Sequence, residues 1–138
     1  MKWVLDTSTL SEVTKPDPAP EVLDWLDANE TDSAISAISI GEMVAGVEQM
    51  SEGKRRRSLT RALKFLREDY AGKILDFTEG VAVEWGYLIA KARKAGRNLP
   101  VIDSQIEATA IHFGLMVVSR NKKDFLHPIF NPWSRTGS

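Results

Sequence analysis

Short apolar runs alternate with longer segments of helical periodicity along this 138-residue chain. The clearest run is Leu115–Ser119, and shorter ones lie at Trp3–Leu5, Ser33–Ser36 and Ile74–Phe77. Runs of this length predict buried strands, and strands that alternate with helices pair in parallel through helical crossovers. The alternation therefore predicts an α/β fold, a three-layer α/β/α sandwich with a central parallel sheet and helices on both faces.

Amphipathic periodicity and capping residues locate the predicted helices. A proline-rich stretch at 15–20 ends the first of them. Thr78 caps the clearest one, and Gly96 follows its basic last turn. The predicted helices follow Asp6, follow Pro20, open at Ser39 to Glu42, span about 58–70 and 79–95, and continue from Asp103 to Phe113.

Composition narrows the class of protein. An apolar fraction of 43% and a charged fraction of 27% are those of an ordinary globular protein, and the length suits one domain over residues 1–138. The chain has no cysteine, which excludes disulfides, thiolate metal sites and cysteine nucleophiles. No signal peptide or membrane span is recognisable, so we expect a cytoplasmic protein, with the last residues, 135–138, as a disordered tail.

Four acidic residues stand where predicted strands end or helices begin: Asp6, Glu42, Asp103 and Asp124. In open parallel sheets the functional crevice lies beyond the carboxyl ends of the strands, so these segments can converge there. Carboxylates brought close together repel one another unless a cation neutralises them. Oxygen ligands of this kind suit Mg²⁺ or Mn²⁺, ions that can activate water for attack on a phosphodiester.

Each acidic residue also has a local structural interpretation. Asp6 can cap a helix, and Ser39 with Glu42 three residues later has the pattern of a capping box. Asp103 suits the positive end of its helix. Asp124 could be a solvated loop residue, and Glu107, one turn after Asp103, could join the site or face solvent.

Basic residues cluster in three places although the net charge is only -1. Solvated helix faces explain any one cluster, whereas three together favour contact with phosphates. The two histidines, His112 and His127, are isolated and predict no zinc site. The clusters are Lys54 to Arg57 with Arg61, Lys64 and Arg67; Arg93, Lys94 and Arg97; and Arg120, Lys122 and Lys123.

Several motifs together resemble the PIN-domain ribonucleases, specifically the VapC or FitB-like toxins of type II toxin–antitoxin systems. Each motif is weak alone, whereas their order and spacing along nearly the whole chain are specific. The motifs are Val4–Ser8 with Leu10–Glu12, Ser36–Glu42 with Gly46 and Val47, Asp103–Ala110, Val118–Asn121 with Asp124 and Phe125, and Phe130–Trp133.

The resemblance implies a dimer that cleaves RNA phosphodiesters with one or two Mg²⁺ or Mn²⁺ ions. Asp6 and Asp103 match its principal metal ligands, and Glu42 matches the third acidic position, which favours the site over a cap. Many members carry an aspartate where this chain has Asn121, and others place the acid three residues later, as Asp124 is here.

The resemblance further implies supporting and substrate-binding residues and a partner. Thr7 and Ser119 match supporting hydroxyl positions. A small antitoxin of the VapB or FitA kind would cover the site and add a DNA-binding module. The residues expected to contact RNA phosphates are Arg120, Arg55, Arg56, Arg57 and Arg61.

Two other functions compete with this interpretation. A phosphotransfer enzyme or receiver domain also gathers carboxylates at strand ends, but a dehalogenase-type phosphatase needs an aspartate where this chain has Ser8, and a receiver needs an acidic pair after its first strand. A catalytically weakened PIN-like module that binds RNA or a protein partner is the other alternative, because Asn121 carries no charge.

Overall fold

The computed structural model describes residues 1–134, so the predicted tail at 135–138 lies outside the described residues. A four-stranded sheet with the order β3-β2-β1-β4 forms its centre, and all neighbouring strands are parallel. Helices pack on both faces, which confirms the predicted α/β/α sandwich. The strands are β1 (Trp3–Leu5), β2 (Ser33–Ser36), β3 (Ile74–Leu75) and β4 (Met116–Val118).

Six α-helices connect the strands, with short 3-10 turns at Glu12–Thr14, Glu30–Asp32 and Lys122–Asp124. Within residues 1–134, none of the helices is long and apolar enough to cross a membrane. The helices are α1 (Thr7–Ser11), α2 (Pro20–Ala28), α3 (Ala37–Glu48), α4 (Lys54–Asp69), α5 (Glu79–Lys94) and α6 (Val101–Phe113).

The two faces of the sheet bury different cores because successive strand residues point to opposite sides. Leu5, Ile35 and Val118 pack with the helices α1 to α4 on one face. Val4 and Val117, their neighbours in β1 and β4, pack against α6 on the other face. Helices therefore cover both faces of the sheet, and only the ends of the strands are accessible.

Three predicted helix starts are wrong. α6 begins at Val101, two residues before Asp103. α3 begins at Ala37, and its cap is Ser36, whose Oγ accepts a hydrogen bond from the Ile38 N–H at 3.0 Å. α4 begins at Lys54, not near 58, and the Arg57 N–H donates to the Gly53 carbonyl at 3.1 Å. The predicted start was late because residues 54–58 contain no apolar side chain, and the apolar stripe of this helix begins only at Leu59.

The loop after β4 is held by the C-terminal segment. The Phe130 N–H donates to the Val117 carbonyl at 2.9 Å, and the Ser119 N–H donates to the Phe130 carbonyl at 3.1 Å. The Phe130 ring stacks on Trp3 with 4.7 Å between ring centroids. The segment therefore extends the sheet beyond β4 and anchors the loop that begins at Ser119.

A buried carboxylate holds the other end of this loop. Glu107 is 2% exposed and accepts hydrogen bonds from the Leu126 N–H at 2.9 Å and the His127 N–H at 2.7 Å. His127 Nδ1 lies 3.0 Å from the same carboxylate. Both interpretations of Glu107 from the sequence were wrong: its side chain neither joins the strand-end cluster nor faces solvent, because it caps two loop amides.

Replacing this carboxylate should loosen the loop. We expect Glu107→Ala to lower the free energy of unfolding by about 2–4 kcal/mol, because two amides and a ring nitrogen lose their acceptor. His127→Ala removes only a partly exposed ring and should cost about 1 kcal/mol or less. Urea unfolding of the two variants checks this, and an equal loss in both would show that Glu107 is not the anchor.

Candidate active site

Three parallel strands end beside one another at the edge of the sheet that carries the acidic residues. Asp6 follows β1, α3 begins directly after β2, and Ser119 follows β4. The Asp6 N–H donates to the Val118 carbonyl at 3.1 Å, which continues the pairing of β1 with β4 by one residue. Segments more than 100 residues apart in sequence are therefore adjacent here.

Asp6 is 2% exposed and uses its two oxygens differently. Oδ1 caps α1 by accepting from the Thr9 N–H at 2.9 Å. Oδ2 accepts from Ser119 Oγ at 2.6 Å and from Ser8 Oγ at 3.1 Å. Capping and a role in the site are thus compatible, and of about four acceptor positions on a carboxylate three are filled.

Glu42 lies in the second turn of α3, since that helix starts at Ala37. The capping-box interpretation was therefore wrong. Ser39 is fully buried, and its Oγ lies 2.9 Å from Thr7 Oγ1. This contact joins α1 to α3 and places the supporting hydroxyl Thr7 between Asp6 and the helix that carries Glu42.

Asp103 occupies the first turn of α6, as predicted, and is half-buried. Its pKa is raised to about 6, first by burial and then by the negative charges of Asp6, Asp124 and Glu42. The repulsion predicted for converging carboxylates is therefore present at Asp103, and all four acidic residues contribute to it.

Asn121 and Asp124 differ in how they meet this cluster. The Asn121 N–H donates to Ser119 Oγ at 2.9 Å, so its backbone helps to orient the serine that binds Asp6, while the residue itself is exposed. Asp124 lies in the 3-10 turn, and its charge acts on Asp103. The structure therefore brings Asp124 to the acidic cluster by charge and Asn121 by its backbone.

An open cleft of about 520 Å³ runs from the acidic residues between α1, α3 and α4. Thr7, Ser8, Glu42 and Asp103 line its polar end. The remainder is mostly apolar and includes Met43, Val47, Met50, Leu59 and Leu63. We use the name acidic cleft for this space.

The acidic cluster supplies carboxylate oxygens, the type of ligand that hard divalent cations prefer. Within residues 1–134, no three acidic or histidine side chains are arranged as a ready-made metal cage. The carboxylates are close enough to repel one another without forming a complete coordination shell. Mg²⁺ typically uses one or two carboxylates and keeps several waters, so this arrangement suits Mg²⁺ or Mn²⁺ better than an ion that needs a closed cage.

Glu12 is a buried site residue to which the sequence assigned no role. It is 3% exposed and accepts from the Ala19 N–H at 3.0 Å, Lys15 Nζ at 3.1 Å and Arg120 Nη2 at 2.9 Å. The amide hydrogen bond is the largest of the effects that lower the pKa of Glu12 to about 2. Arg120 is 108 residues away in sequence, so no local pattern indicated this contact.

The predicted RNA-contacting arginines occupy different environments. Arg120 is paired with Glu12, and Arg56 with Glu48. Arg55, Arg57 and Arg61 are exposed on α4. In the second basic cluster, Arg97 Nη2 donates to the carbonyls of Lys123 and Phe125 at 2.9 and 3.0 Å, so that arginine holds the loop instead.

Comparison with known proteins identifies the family. A family model described as PIN domain matches residues 3–128. The chain belongs to the PIN-domain family. Over 94% of its length this PIN domain is 33% identical to the toxin FitB of Neisseria gonorrhoeae, of which it covers 97%. It is 34% identical to the VapC ribonuclease Y4jK of Sinorhizobium fredii, with 94% and 96% of the two chains covered.

Solved structures agree with this assignment. This PIN domain superposes on a chain from the crystal structure of FitAcB from Neisseria gonorrhoeae with a TM-score of 0.87 and 33% identity. The superposition covers 95% of this chain and 98% of the FitAcB chain. A chain of FitAB bound to a DNA fragment gives a TM-score of 0.88 at 32% identity, with 96% of each chain covered. The predicted resemblance to VapC and FitB is confirmed.

Asp103 should make the fold less stable as pH rises. Its pKa in the folded state is raised to about 6, so the fold favours the protonated carboxyl. The stability that this protonated form gives is complete below about pH 4 and is lost as pH rises through about 6. We therefore expect Asp103→Asn to melt at a higher temperature than the native chain at pH 7.5, in EDTA, and the difference to shrink toward pH 5.

Asp24→Asn, on the exposed face of α2, provides the control and should leave both curves nearly unchanged. Thermal unfolding between pH 5 and 7.5 measures the three proteins. Equal melting temperatures for Asp103→Asn and the native chain at pH 7.5 would contradict the repulsion.

Glu12 should show the opposite pH dependence. Its pKa is lowered, so its contribution is present above about pH 4.5 and is lost as pH falls toward 2. We expect Glu12→Gln to cost about 2 kcal/mol at pH 7 and only about 0.5 kcal/mol near pH 2.5, where part of the Glu12 carboxyl is protonated in the folded state. Urea unfolding at both pH values measures this, with Glu21→Gln as an exposed control on α2. If the loss of unfolding free energy in Glu12→Gln did not depend on pH, the charge of Glu12 would not be what stabilises the fold.

Proposed function

We propose that the protein is a Mg²⁺- or Mn²⁺-dependent endoribonuclease and the toxin of a toxin–antitoxin pair. The observation that carries the proposal is the acidic cluster of a PIN domain: the charges of Asp6, Glu42 and Asp124 act on Asp103, and Glu42 and Asp103 line a cleft. The relative from Sinorhizobium fredii is named a VapC ribonuclease, which supports RNA as the substrate.

Asp6 and Asp103 would hold the cation, with Glu42 completing its surroundings. The chemistry that Mg²⁺ or Mn²⁺ supplies at such a site is a lower pKa for water and stabilisation of charge on the phosphodiester. A cation beside Asp103 would favour the ionised form of that carboxyl and relieve the repulsion from its neighbours. We assign the fourth acidic position to Asp124, since its charge already acts on Asp103.

The other residues of the site orient these carboxylates. Ser119 Oγ donates to Asp6 and accepts from the Asn121 amide, so it fixes which oxygen of Asp6 remains available. Thr7 and Ser39 hold α1 against α3 and so set the distance from Asp6 to Glu42. Glu42 lies at the exposed mouth of the cleft and would accept a proton from an attacking water.

A small antitoxin of the VapB or FitA kind is the proposed protein partner. Structures similar to this chain are toxin–antitoxin complexes, and one of the FitAB complexes contains DNA. We also propose a homodimer. Val83 and Tyr87, one turn apart on α5, are 50% and 70% exposed and offer apolar surface that a second copy could cover. Sedimentation of the native chain and of Tyr87→Arg would test the dimer.

The ribonuclease proposal predicts loss of cleavage in specific variants. With a structured RNA in Mg²⁺ or Mn²⁺, we expect Asp6→Asn and Asp103→Asn to lower the cleavage rate by about 100-fold or more, because each removes a cation ligand. Ser119→Ala should cost about 10-fold, because it only orients Asp6. Gel analysis of end-labelled RNA measures the rates, and EDTA should abolish cleavage.

Asp24→Asn is the matched control, since it removes the same charge from an exposed site on α2. Cleavage that survives both Asp6→Asn and Asp103→Asn, or that needs no metal, would disprove the mechanism. RNA binding without cleavage in any metal would favour the weakened binding module instead.

The toxin assignment has its own test. Expression of the native chain should stop bacterial growth, and Asp6→Asn should restore it because cleavage is lost. Co-expression of the product of an adjacent small gene should also restore growth. Growth arrest that Asp6→Asn leaves unchanged would show that toxicity does not depend on the acidic cluster.

A further inference from the structure

Basic side chains lie on two sides of α4, near the acidic cleft. Acidic residues neutralise them on one side but not on the other. On one side of α4, Arg56, Arg57 and Arg61 surround a depression that Glu48 and Glu52 also line. Arg56 forms an ion pair with Glu48 there. This side therefore presents mixed charge to an incoming polyanion.

On the opposite side, the N-terminal half of α4 borders a groove whose charged residues are all basic. This groove of about 540 Å³ lies between the segment 13–16 and the first half of α4, and the residues that line it include Thr14, Lys15, Pro16, Lys54, Arg55 and Leu59. No acidic residue lines this groove. In the part of the chain that the structure describes, neither Lys54 nor Arg55 forms an ion pair. We call it the basic groove.

The basic groove is continuous with the acidic cleft. Thr14 and Leu59 line both spaces, so they form the boundary across which one passes into the other. Lys15 stands beside this boundary, 53% exposed, and its Nζ is held by the buried Glu12. A single strand of nucleic acid with one phosphate at the acidic end of the cleft would therefore reach Lys15, Lys54 and Arg55 along the protein surface.

The position of these cations disfavours a purely structural explanation. Lys54 and Arg55 are the first two residues of α4, where the helix dipole disfavours positive charge, and the cap, Gly53, offers no side-chain acceptor. Sequences that break a local rule without a compensating contact commonly do so at functional sites. Neither cation has an ion-pair partner among residues 1–134, so the fold itself gives no compensation.

We propose that the basic groove binds the sugar–phosphate backbone of the RNA strand on one side of the cleaved bond, through Lys15, Lys54 and Arg55. The inference rests on the proposed ribonuclease function and specifies the course of its substrate. Contacts of this kind set affinity and orientation without reading bases. Arg57 and Arg61 lie on the side of α4 where Glu48 and Glu52 give a mixed charge, which we call the mixed side. They therefore contribute less to binding than their own charge suggests.

Binding to a labelled ten-nucleotide single-stranded RNA, in EDTA so that nothing is cleaved, tests the groove. We expect Lys54→Gln/Arg55→Gln to weaken binding about tenfold at moderate salt. The slope of log K against log salt should fall by about 1.4, since each phosphate contact in a single strand contributes about 0.7. The matched control is Arg57→Gln/Arg61→Gln, which removes the same charge from the other side of α4 and should change the slope by less than half as much.

Equal effects of the two double variants would overturn the proposal, because they would indicate only general attraction to a basic helix. Fluorescence anisotropy gives the affinities. Lys54→Gln/Arg55→Gln should melt at or slightly above the native temperature, by about 1–3 °C, since it relieves the helix dipole. If that variant fails to fold, Lys15→Gln replaces it and should lower the slope by about 0.7.

The absence of cysteine allows a positional test that does not depend on charge. Ser58 lines the basic groove, whereas Thr60 lines the mixed side of the same helix. Ser58→Cys and Thr60→Cys, each labelled with an aryl azide, should crosslink to the RNA with high and low yield respectively. Equal yields, or a higher yield at position 60, would overturn the proposal.

A separate cleavage assay in Mg²⁺ or Mn²⁺ distinguishes failure of this inference from failure of the proposed function. Cleavage that Lys54→Gln/Arg55→Gln does not slow at low RNA concentration would refute the groove and leave the ribonuclease. Groove-dependent binding without cleavage by the native chain would refute the ribonuclease and leave the groove. RNA binding that neither double variant weakens would likewise refute the basic groove as an RNA site.

Discussion

The pairing of β1 with β4 is the constraint on which the acidic cluster depends. It aligns Leu5 with Val118 and continues one residue further, where the Asp6 amide binds the Val118 carbonyl. Ser119 Oγ then lies 2.6 Å from Asp6 Oδ2, so the orientation of the first acidic residue is set by a residue 113 positions away. A shift of this register by one residue would exchange the two faces of β4 and remove Ser119 from Asp6.

The cluster is maintained against its own electrostatics. Burial and three neighbouring negative charges raise the pKa of Asp103 to about 6, so the fold holds a carboxyl where its ionised form is disfavoured. Buried contacts supply the rigidity, with Glu107 anchoring the loop of Asp124 and Glu12 joining the 12–19 segment to Arg120. Close carboxylates lower the stability of the fold when no cation is bound, whereas the proposed function needs them close together. A bound cation would remove the repulsion.

Charge is also divided between the two ends of one continuous surface. The acidic cleft gathers Glu42 and Asp103, and the basic groove beyond Thr14 and Leu59 gathers Lys15, Lys54 and Arg55. Under the proposed function, this division would let an almost neutral chain bind a polyanion, because the local distribution of charge and not the net charge governs the contact. Glu12 connects the two ends because one buried carboxylate holds Lys15 on one side and Arg120 on the other.

The sequence by itself determined the strand and helix order, the acidic residues at strand ends and the family, because periodicity and motif spacing are local along the chain. It failed for Ser39 and Glu42, where a capping pattern matched a helix that in fact starts at Ala37. Only the tertiary structure decided which partner each polar group has: Ser119 for Asp6, Glu12 for Arg120, and two loop amides for Glu107. Those partners lie 19 to 113 residues apart, and only folding brings such groups within hydrogen-bonding distance.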